Sequence, residues 1–355
     1  VTGVTGHLGF ATAKLFKERG YRVRAGVRDV KRAQSVAAIA ELGIPLVHVD
    51  LLDQASIERA LDGVDGYLQI AAVFKLNSRN PQDEVIAPNL EGTRNALRAS
   101  AAAGVRRVVY TSSIAAIGAT KAGQPAPDET DWNDGAIEPY ALSKTLAEKE
   151  AWRLAEELGV DLVTVLPGTI IGPDFHQPTD SLKLLVDVLA GRVPFAFPMA
   201  FSYVDVRDVA EAHLLAYENP GAKGRYIATS DTVSVSGVCA QVQALRPQTK
   251  TSAKVLPGWL VKLLPLVDEL KHSLTRAPRT LTRPVVREYL HKEQRYRSTR
   301  LADELGWSPR KFADSLEETL RWIESWRARE SLWMKASPSD GRASPKKRLS
   351  ASSPS

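Results

Sequence analysis

The strongest constraint in this sequence is a turn. Thr2-Gly3-Val4-Thr5-Gly6-His7-Leu8-Gly9 sets glycines three residues apart where an extended start gives way to a helical pattern. Glycines so placed permit a tight turn, close approach of the backbone to a pyrophosphate, and close packing of helix on strand. The helix start then offers free N–H groups and the positive end of its dipole. Gly-rich turns are common, so the pattern downstream of the turn decides the reading. Residues 7–19 read as a helix ended by Gly20, 21–27 as a strand, 31–42 as a helix ended by Gly43, and 46–49 as a strand after Pro45. A helix near 54–61, a strand at 66–70, a long helix at 83–103 and a strand at 105–112 come next. A helix at 139–158 and a strand at 160–166 complete the series. Alternation of this kind implies right-handed βαβ units. The continuous apolar runs at 105–112 and 160–166 suit strands buried on both faces. The expected fold class is therefore α/β, a doubly wound parallel sheet that places ligands at the carboxyl ends of its strands. The pattern opens in mid-turn at Val1, so most of one preceding strand is expected to be missing from this sequence.

After Gly172-Pro173 the alternation breaks down, and only Tyr203 to Ala228 returns to strand, helix and strand. The expected division is a dinucleotide-binding domain of 1–171 plus 199–231, and a smaller C-terminal substrate-binding domain of 172–198 plus 232–330. Residues 331–355 are rich in Ser, Pro and Lys, the composition of a disordered tail. The single cysteine, Cys239, excludes an internal disulfide framework and a Cys-based zinc cluster. It suits a reducing compartment, and with no secretory signal and no run of about 18 apolar residues the expected location is cytoplasmic, with no membrane partner. The net charge of +6 is concentrated in the tail and in 271–300, which holds nine Lys or Arg against two Glu. The tail reads as solvated rather than as a nucleic-acid arm. The 271–300 stretch reads either as a solvated helical face or as a patch for an anionic substrate.

Two further motifs carry chemistry. Tyr140-Ala141-Leu142-Ser143-Lys144 puts a phenol and an ammonium on one helix face. A nearby lysine favours the phenolate, lowering the phenol from about 10 toward neutrality, and such a tyrosine exchanges a proton with a carbonyl oxygen. Taken alone, the spacing fits equally an amphipathic helix with an exposed lysine. Thr111-Ser112-Ser113 ends the strand 105–112, where a hydroxyl can donate to the same substrate oxygen. Capping of the strand end by small polar residues explains that motif as well. Turn, serine and tyrosine motifs in this order within this fold are far more specific than any one of them.

Together these motifs make the chain resemble the extended short-chain dehydrogenase/reductases of the NAD(P)-dependent epimerase/dehydratase superfamily, with a Rossmann fold. Within it the chain is similar to the dihydroflavonol-reductase-like branch. Supporting segments are Val27-Arg28-Asp29, Asp50-Leu51, Ala71-Ala72, Leu166-Pro167-Gly168, Tyr203 to Ala210, Gly224 to Ile227 and Glu304 to Trp307. The resemblance implies Ser113 as the catalytic serine, Tyr140 as acid/base, and Lys144 as the residue that tunes Tyr140 and holds the cofactor's ribose hydroxyls. It implies cofactor contacts from Gly3, Thr5, Gly6, His7, Leu8 and Gly9, with His7 acting through its backbone. Asp50 and Leu51 would meet the adenine, Ala71 and Ala72 line the cofactor path, and Pro167 with Ile170 the nicotinamide side. Two departures matter: Gly118 stands where plant dihydroflavonol reductases carry an asparagine, and Ile137-Glu138-Pro139-Tyr140 replaces the cysteine-containing motif of cinnamoyl-CoA reductases. Neither plant substrate is carried over.

The implied function is NADP-dependent reduction of an aldehyde or ketone, with a small carbonyl or alcohol as partner and a monomer or homodimer as assembly. A sugar-nucleotide epimerase/dehydratase or a 3β-hydroxysteroid-type dehydrogenase is the enzymatic alternative. A non-catalytic dinucleotide-sensing regulator fits less well, because Ser113, Tyr140 and Lys144 are all present. NADP(H) is favoured over NAD(H) because Val27 occupies the position where an NAD enzyme places its ribose-binding acid. Arg28 follows it directly, with Lys31 and Arg32 one helical turn on, cations suited to a 2′-phosphate. Asp29 is expected to turn away and cap the helix that begins near Val30; as a ribose ligand it would favour NAD(H) instead.

Overall fold

A computed structural model describes residues 1–74, 78, 80–275 and 281–336. The first half alternates as expected: α1 (His7–Glu18), β1 (Ala25–Val27), α2 (Val30–Gln34), α3 (Ala37–Glu41), β2 (Leu46–His48), α4 (Gln54–Leu61) and β3 (Gly66–Gln69). A π-helical turn, Gln82–Ile86, runs into α5 (Ala87–Ala102). Then come β4 (Arg107–Thr111), a 3₁₀ turn (Ile114–Ala116), β5 (Thr120–Lys121), α6 (Pro139–Leu158) and β6 (Leu162–Pro167). The remainder comprises β7 (Thr169–Ile171), α7 (Lys183–Leu189), β8 (Ala200–Asp205), α8 (Val206–Glu218), β9 (Gly224–Ala228), β10 (Thr232–Ser234) and α9 (Val235–Leu245). Last are α10 (Gly258–Val261), α11 (Leu264–Thr275), α12 (Arg283–Tyr289), β11 (Lys292–Glu293), α13 (Arg300–Leu305) and α14 (Phe312–Ala336).

β3, β4, β6 and β9 form one parallel sheet in that order, and β1 and β2 a parallel pair. Val1 and Thr2 join the two: Gly26 N donates to Val1 O at 2.8 Å, and Thr2 N to Leu68 O at 3.0 Å. Reading outward from Thr2, chain order runs one way through β1 and β2 and the other way through β3, β4, β6 and β9. Thr2 therefore marks the switch point of a doubly wound fold, where ligands bind, and the Gly-rich turn begins there. A cavity of about 500 Å3 lies beside it, bordered by Val23, Val47, Tyr67, Leu68 and Tyr217.

The central strands β4 and β6 are buried throughout and largely apolar, because both faces are covered. Val109, Val163 and Val165 pack with Leu8 and Phe16 of α1 and Val209 and Leu214 of α8. Val108, Tyr110 and Leu162 pack with Ile57, Leu97 and Leu154 of α4, α5 and α6. A separate core gathers Leu182, Leu185, Val238, Val286, Leu316 and Leu320, beside a mixed sheet ordered β10-β8-β11-β5 with β7 on β8.

Four expectations need correction. The helix read at 31–42 is two short ones, because Ser35 Oγ turns back to Arg32 O at 2.7 Å and ends α2. The strand read at 21–27 is only Ala25–Val27, since Tyr21 packs its ring on Phe16 and Tyr217 at the preceding turn. Helix α14 runs through Ala336, into the stretch read as a disordered tail; residues 337–355 lie outside the described residues. The basic stretch 271–300 is no single helical face, for it spans the end of α11, α12, β11 and the start of α13. Residues 276–280 of it lie outside the described residues. Among the described residues no helix is long and apolar enough to cross a membrane, and no cluster of His, Cys, Asp and Glu could hold a metal ion.

Candidate active site

The Gly-rich turn is built by contact. Gly3 lies at φ +75, and a Cβ on Gly9 would fall 2.1 Å from Gly3 O, so α1 can start this close to the strand only with glycine there. Gly6 is the N-cap of α1 and supplies no side-chain cap. The first-turn N–H groups are thus left for an anion. Ala71 borders Gly3, its N 3.0 Å from where a Gly3 Cβ would stand and 3.3 Å from Thr2 Oγ1. The side chains of this turn do not point one way. Thr5 is exposed and Leu8 joins the core. The His7 ring is buried, with Nε2 2.8 Å from Pro173 O and its face stacked on Phe175 at 5.5 Å. Replacement Gly9→Ala should abolish cofactor binding and cost about 1–3 kcal/mol of stability through overpacking, measured by cofactor titration and thermal melting. Retained binding would contradict the cradle.

At the end of β1, Val27 is paired with His48 in parallel register, bringing Arg28 beside the end of β2 and the adjoining Asp50 and Leu51. Asp29 accepts from Arg32 N at 2.9 Å and caps α2, as expected. Arg28, Lys31 and Arg32 are exposed, and no ion pair engages them among the described residues. Asp50 Oδ1 accepts from Leu52 N at 3.0 Å, and Leu51 packs its side chain under Gly92 of α5. Ala72 is exposed, Pro167 ends β6 and Ile170 lies in β7.

The catalytic group candidates meet where β4 ends and α6 begins. Ser113 caps the 3₁₀ turn, its Oγ accepting from Ala115 N at 3.1 Å. Tyr140 sits in the first turn of α6, its phenol near the Ser113 hydroxyl. The edge of its ring meets Phe74, centroids 4.5 Å apart at 79°. Lys144, one turn on, is buried rather than exposed, and its Nζ donates to Thr111 O at 2.9 Å. The electrostatics correct a further expectation. Burial pushes the Tyr140 phenol up to about 12, the Glu138 charge adds to this, and only the Ser113 hydroxyl acts downward. Burial pushes Lys144 down to about 8, against the pull of Glu148. Lys144 is not among the groups that act on the phenol here, and its ammonium donates instead to a backbone carbonyl. The Tyr140 phenol is consequently protonated at physiological pH.

Three contributors escaped the sequence reading. Glu138 caps α6, accepting from Ala141 N at 2.8 Å. Glu288 reaches the same loop from α12, and Asn133 bonds Ala115 O at 3.0 Å. Only Glu138 had a local signal, an acid just ahead of Pro139 at a helix start.

A doubly wound sheet, an uncapped glycine-rich helix start and a tyrosine–lysine pair at adjacent strand ends define a class: NAD(P)-dependent short-chain dehydrogenase/reductases of the extended type. The chain belongs to the NAD-dependent epimerase/dehydratase family, whose family model matches residues 1–228. It is similar to a bifunctional dihydroflavonol 4-reductase/flavanone 4-reductase of Malus domestica, 30% identical, with 72% of this chain and 78% of the relative covered. A cinnamoyl-CoA reductase of Medicago truncatula is 34% identical over 72% of this chain and 82% of its own. Among solved structures, gox2253 superposes with a TM-score of 0.77 at 32% identity, covering 91% of this chain and 97% of that one. The NADPH complex of the yeast methylglyoxal/isovaleraldehyde reductase Gre2 shares the fold, with a TM-score of 0.71 at 20% identity over 92% and 98% of the two chains. The chain is thus an NAD(P)-dependent enzyme.

Proposed function

We propose that this enzyme is an NADP-preferring reductase of aldehydes or ketones, with Tyr140 as proton donor. The observation that carries the reading is the approach of the Tyr140 phenol to the Ser113 hydroxyl where α6 begins and β4 ends, with Lys144 anchored to Thr111 O beside them. Two hydroxyls converging there can both address one carbonyl oxygen. The cofactor, when bound, supplies the hydride. Tyr140 gives its proton to the carbonyl oxygen, Ser113 orients that oxygen, and Lys144 holds the ribose hydroxyls while protonated. The residues present fit such a cofactor: an uncapped α1, glycine-tight packing of the turn, and the three exposed cations after β1. We assign 1–171 plus 199–231 to cofactor binding and 172–198 plus 232–330 to substrate binding.

The sugar-nucleotide alternative needs free cations for a second diphosphate. In the basic stretch, Arg283, Arg295, Arg297 and Arg300 are instead paired with Glu269, Glu293, Asp128 and Glu304, which leaves Arg287 and Lys292 outside any ion pair among the described residues. That favours the reductase reading. The test is a panel of aldehydes, ketones, flavanonols and nucleoside-diphosphate sugars, following NADPH absorbance and sugar epimerisation. Turnover of a sugar nucleotide with no carbonyl reduction would overturn the proposal.

The raised phenol predicts the pH dependence. A group held near 12 stays protonated through neutrality, so reduction always has its donor. Alcohol oxidation needs the phenolate, whose fraction grows about tenfold per pH unit below that value. Initial rates of oxidation should therefore climb from about pH 6 to about pH 10, while reduction does not climb. An oxidation profile flat over that interval would contradict Tyr140 as the base.

A further inference from the structure

We propose that Glu288 is a positioning residue for carbonyl reduction: from α12 it clasps the loop that carries Tyr140 and holds that loop in register with the strand end that carries Ser113. This rests on the reading of Tyr140 as proton donor. Glu288 is 2% exposed. Its Oε1 accepts from Asn133 Nδ2 at 3.2 Å, and its Oε2 from Ile137 N at 2.9 Å and Glu138 N at 3.4 Å. Among the described residues no cation pairs with it. A buried carboxylate without a cation is costly unless N–H donors surround it. All three donors here come from the segment just before Tyr140.

Asn133 extends the clasp to the serine side. Its amide nitrogen has two hydrogens; one serves Glu288 and the other Ala115 O at 3.0 Å. Its backbone N bonds Ala116 O at 2.8 Å. The Asn133 side chain also fills the space beside Gly118, with Cγ 3.1 Å from where a Cβ would stand. Ser113 begins the turn that includes Ala115 and Ala116, and Tyr140 lies two residues after Glu138. One carboxylate thus sets the spacing of the two catalytic hydroxyls. Among the described residues no hydrogen bond or ion pair links the cofactor cradle at residues 3–9 and 28–32 to Glu288 or Asn133, so loss of the clasp should slow the chemical step without weakening cofactor binding.

The experiment compares Glu288→Gln, Asn133→Ala and the double variant in the full-length protein with a reducible carbonyl substrate. Glu288→Gln keeps the shape but presents an NH2 to one of the donors. Each single change should lower kcat about ten- to a hundredfold, the scale for a misplacement near 1 Å. Cofactor Kd, read by fluorescence titration, and substrate KM should stay within about twofold, and the double variant should be no worse than the poorer single one, because coupled partners are non-additive. Unchanged kcat in a folded variant, a joint loss of kcat, KM and cofactor affinity, or multiplying effects in the double variant would each overturn the proposal. If Glu288→Gln does not fold, Asn133→Ala carries the same expectations alone. Failure of the underlying reading is separable: an active Tyr140→Phe removes the proton-donor assignment, whereas an active Glu288→Gln beside a dead Tyr140→Phe removes only the clasp.

Discussion

Tyr140→Phe lowers kcat for carbonyl reduction by about 10²–10⁴-fold, the usual contribution of a positioned general acid, and leaves cofactor affinity nearly unchanged. The substitution keeps the ring, and with it the edge contact to Phe74, and removes only the hydroxyl that lies near Ser113. The first turn of α6 survives because its cap is the Glu138 carboxylate rather than the tyrosine. Steady-state kinetics with fluorescence titration of the cofactor checks both halves of the expectation. A variant that keeps most of its kcat would show that another group delivers the proton. Lys144→Ala should instead harm turnover and cofactor binding together, since its ammonium would hold the ribose while its bond to Thr111 O anchors α6 to β4.

The second large effect concerns cofactor choice. With NADPH the enzyme should show a kcat/KM one to several orders of magnitude above that with NADH, as two charge-assisted contacts of about 1.5–3 kcal/mol each would allow. Asp29 is the only acid among residues 27–32, and its carboxylate is already spent on Arg32 N at 2.9 Å. Arg28, Lys31 and Arg32 stand exposed around the same corner. A guanidinium there can meet a 2′-phosphate with two parallel bonds and stack on an adenine. Replacing Val27 by Asp together with Arg28→Ala should restore the ribose acceptor, remove the leading cation and reverse the preference. Equal or better use of NADH by the wild-type protein would contradict the assignment and leave Asp29 as the ribose ligand.

The sequence alone determined the elements whose boundaries are written in adjacent residues. α6 runs from Pro139 to Leu158 because a proline opens it and Gly159, at φ +67, closes it. α4 spans Gln54–Leu61 behind Asp53, whose side chain caps it. Asp29 was readable as a cap for the same reason: a cap forms over three residues, so its signal is local. The parallel sheet was readable because strands buried on both faces lose their alternation. The three glycines and the Tyr–Lys spacing likewise act within one turn.

Only the tertiary structure decided the rest. A neighbour four residues away suggested that Lys144 lowers the Tyr140 phenol. Burial, a property of the assembled chain, raises it instead, and the lysine's proton is drawn to Thr111 O, 33 residues distant. Glu288 and Asn133 are 155 residues apart, and no periodicity or cap motif links them. His7 turns into the seam with Pro173 and Phe175 for a similar reason. Hydrogen-bond partners and desolvation depend on which segments the fold brings together, and side-chain spacing carries that information only within an element. The types of residue in the site and their order along the chain were therefore set locally; their spacing, orientation and protonation were set by contacts between distant segments.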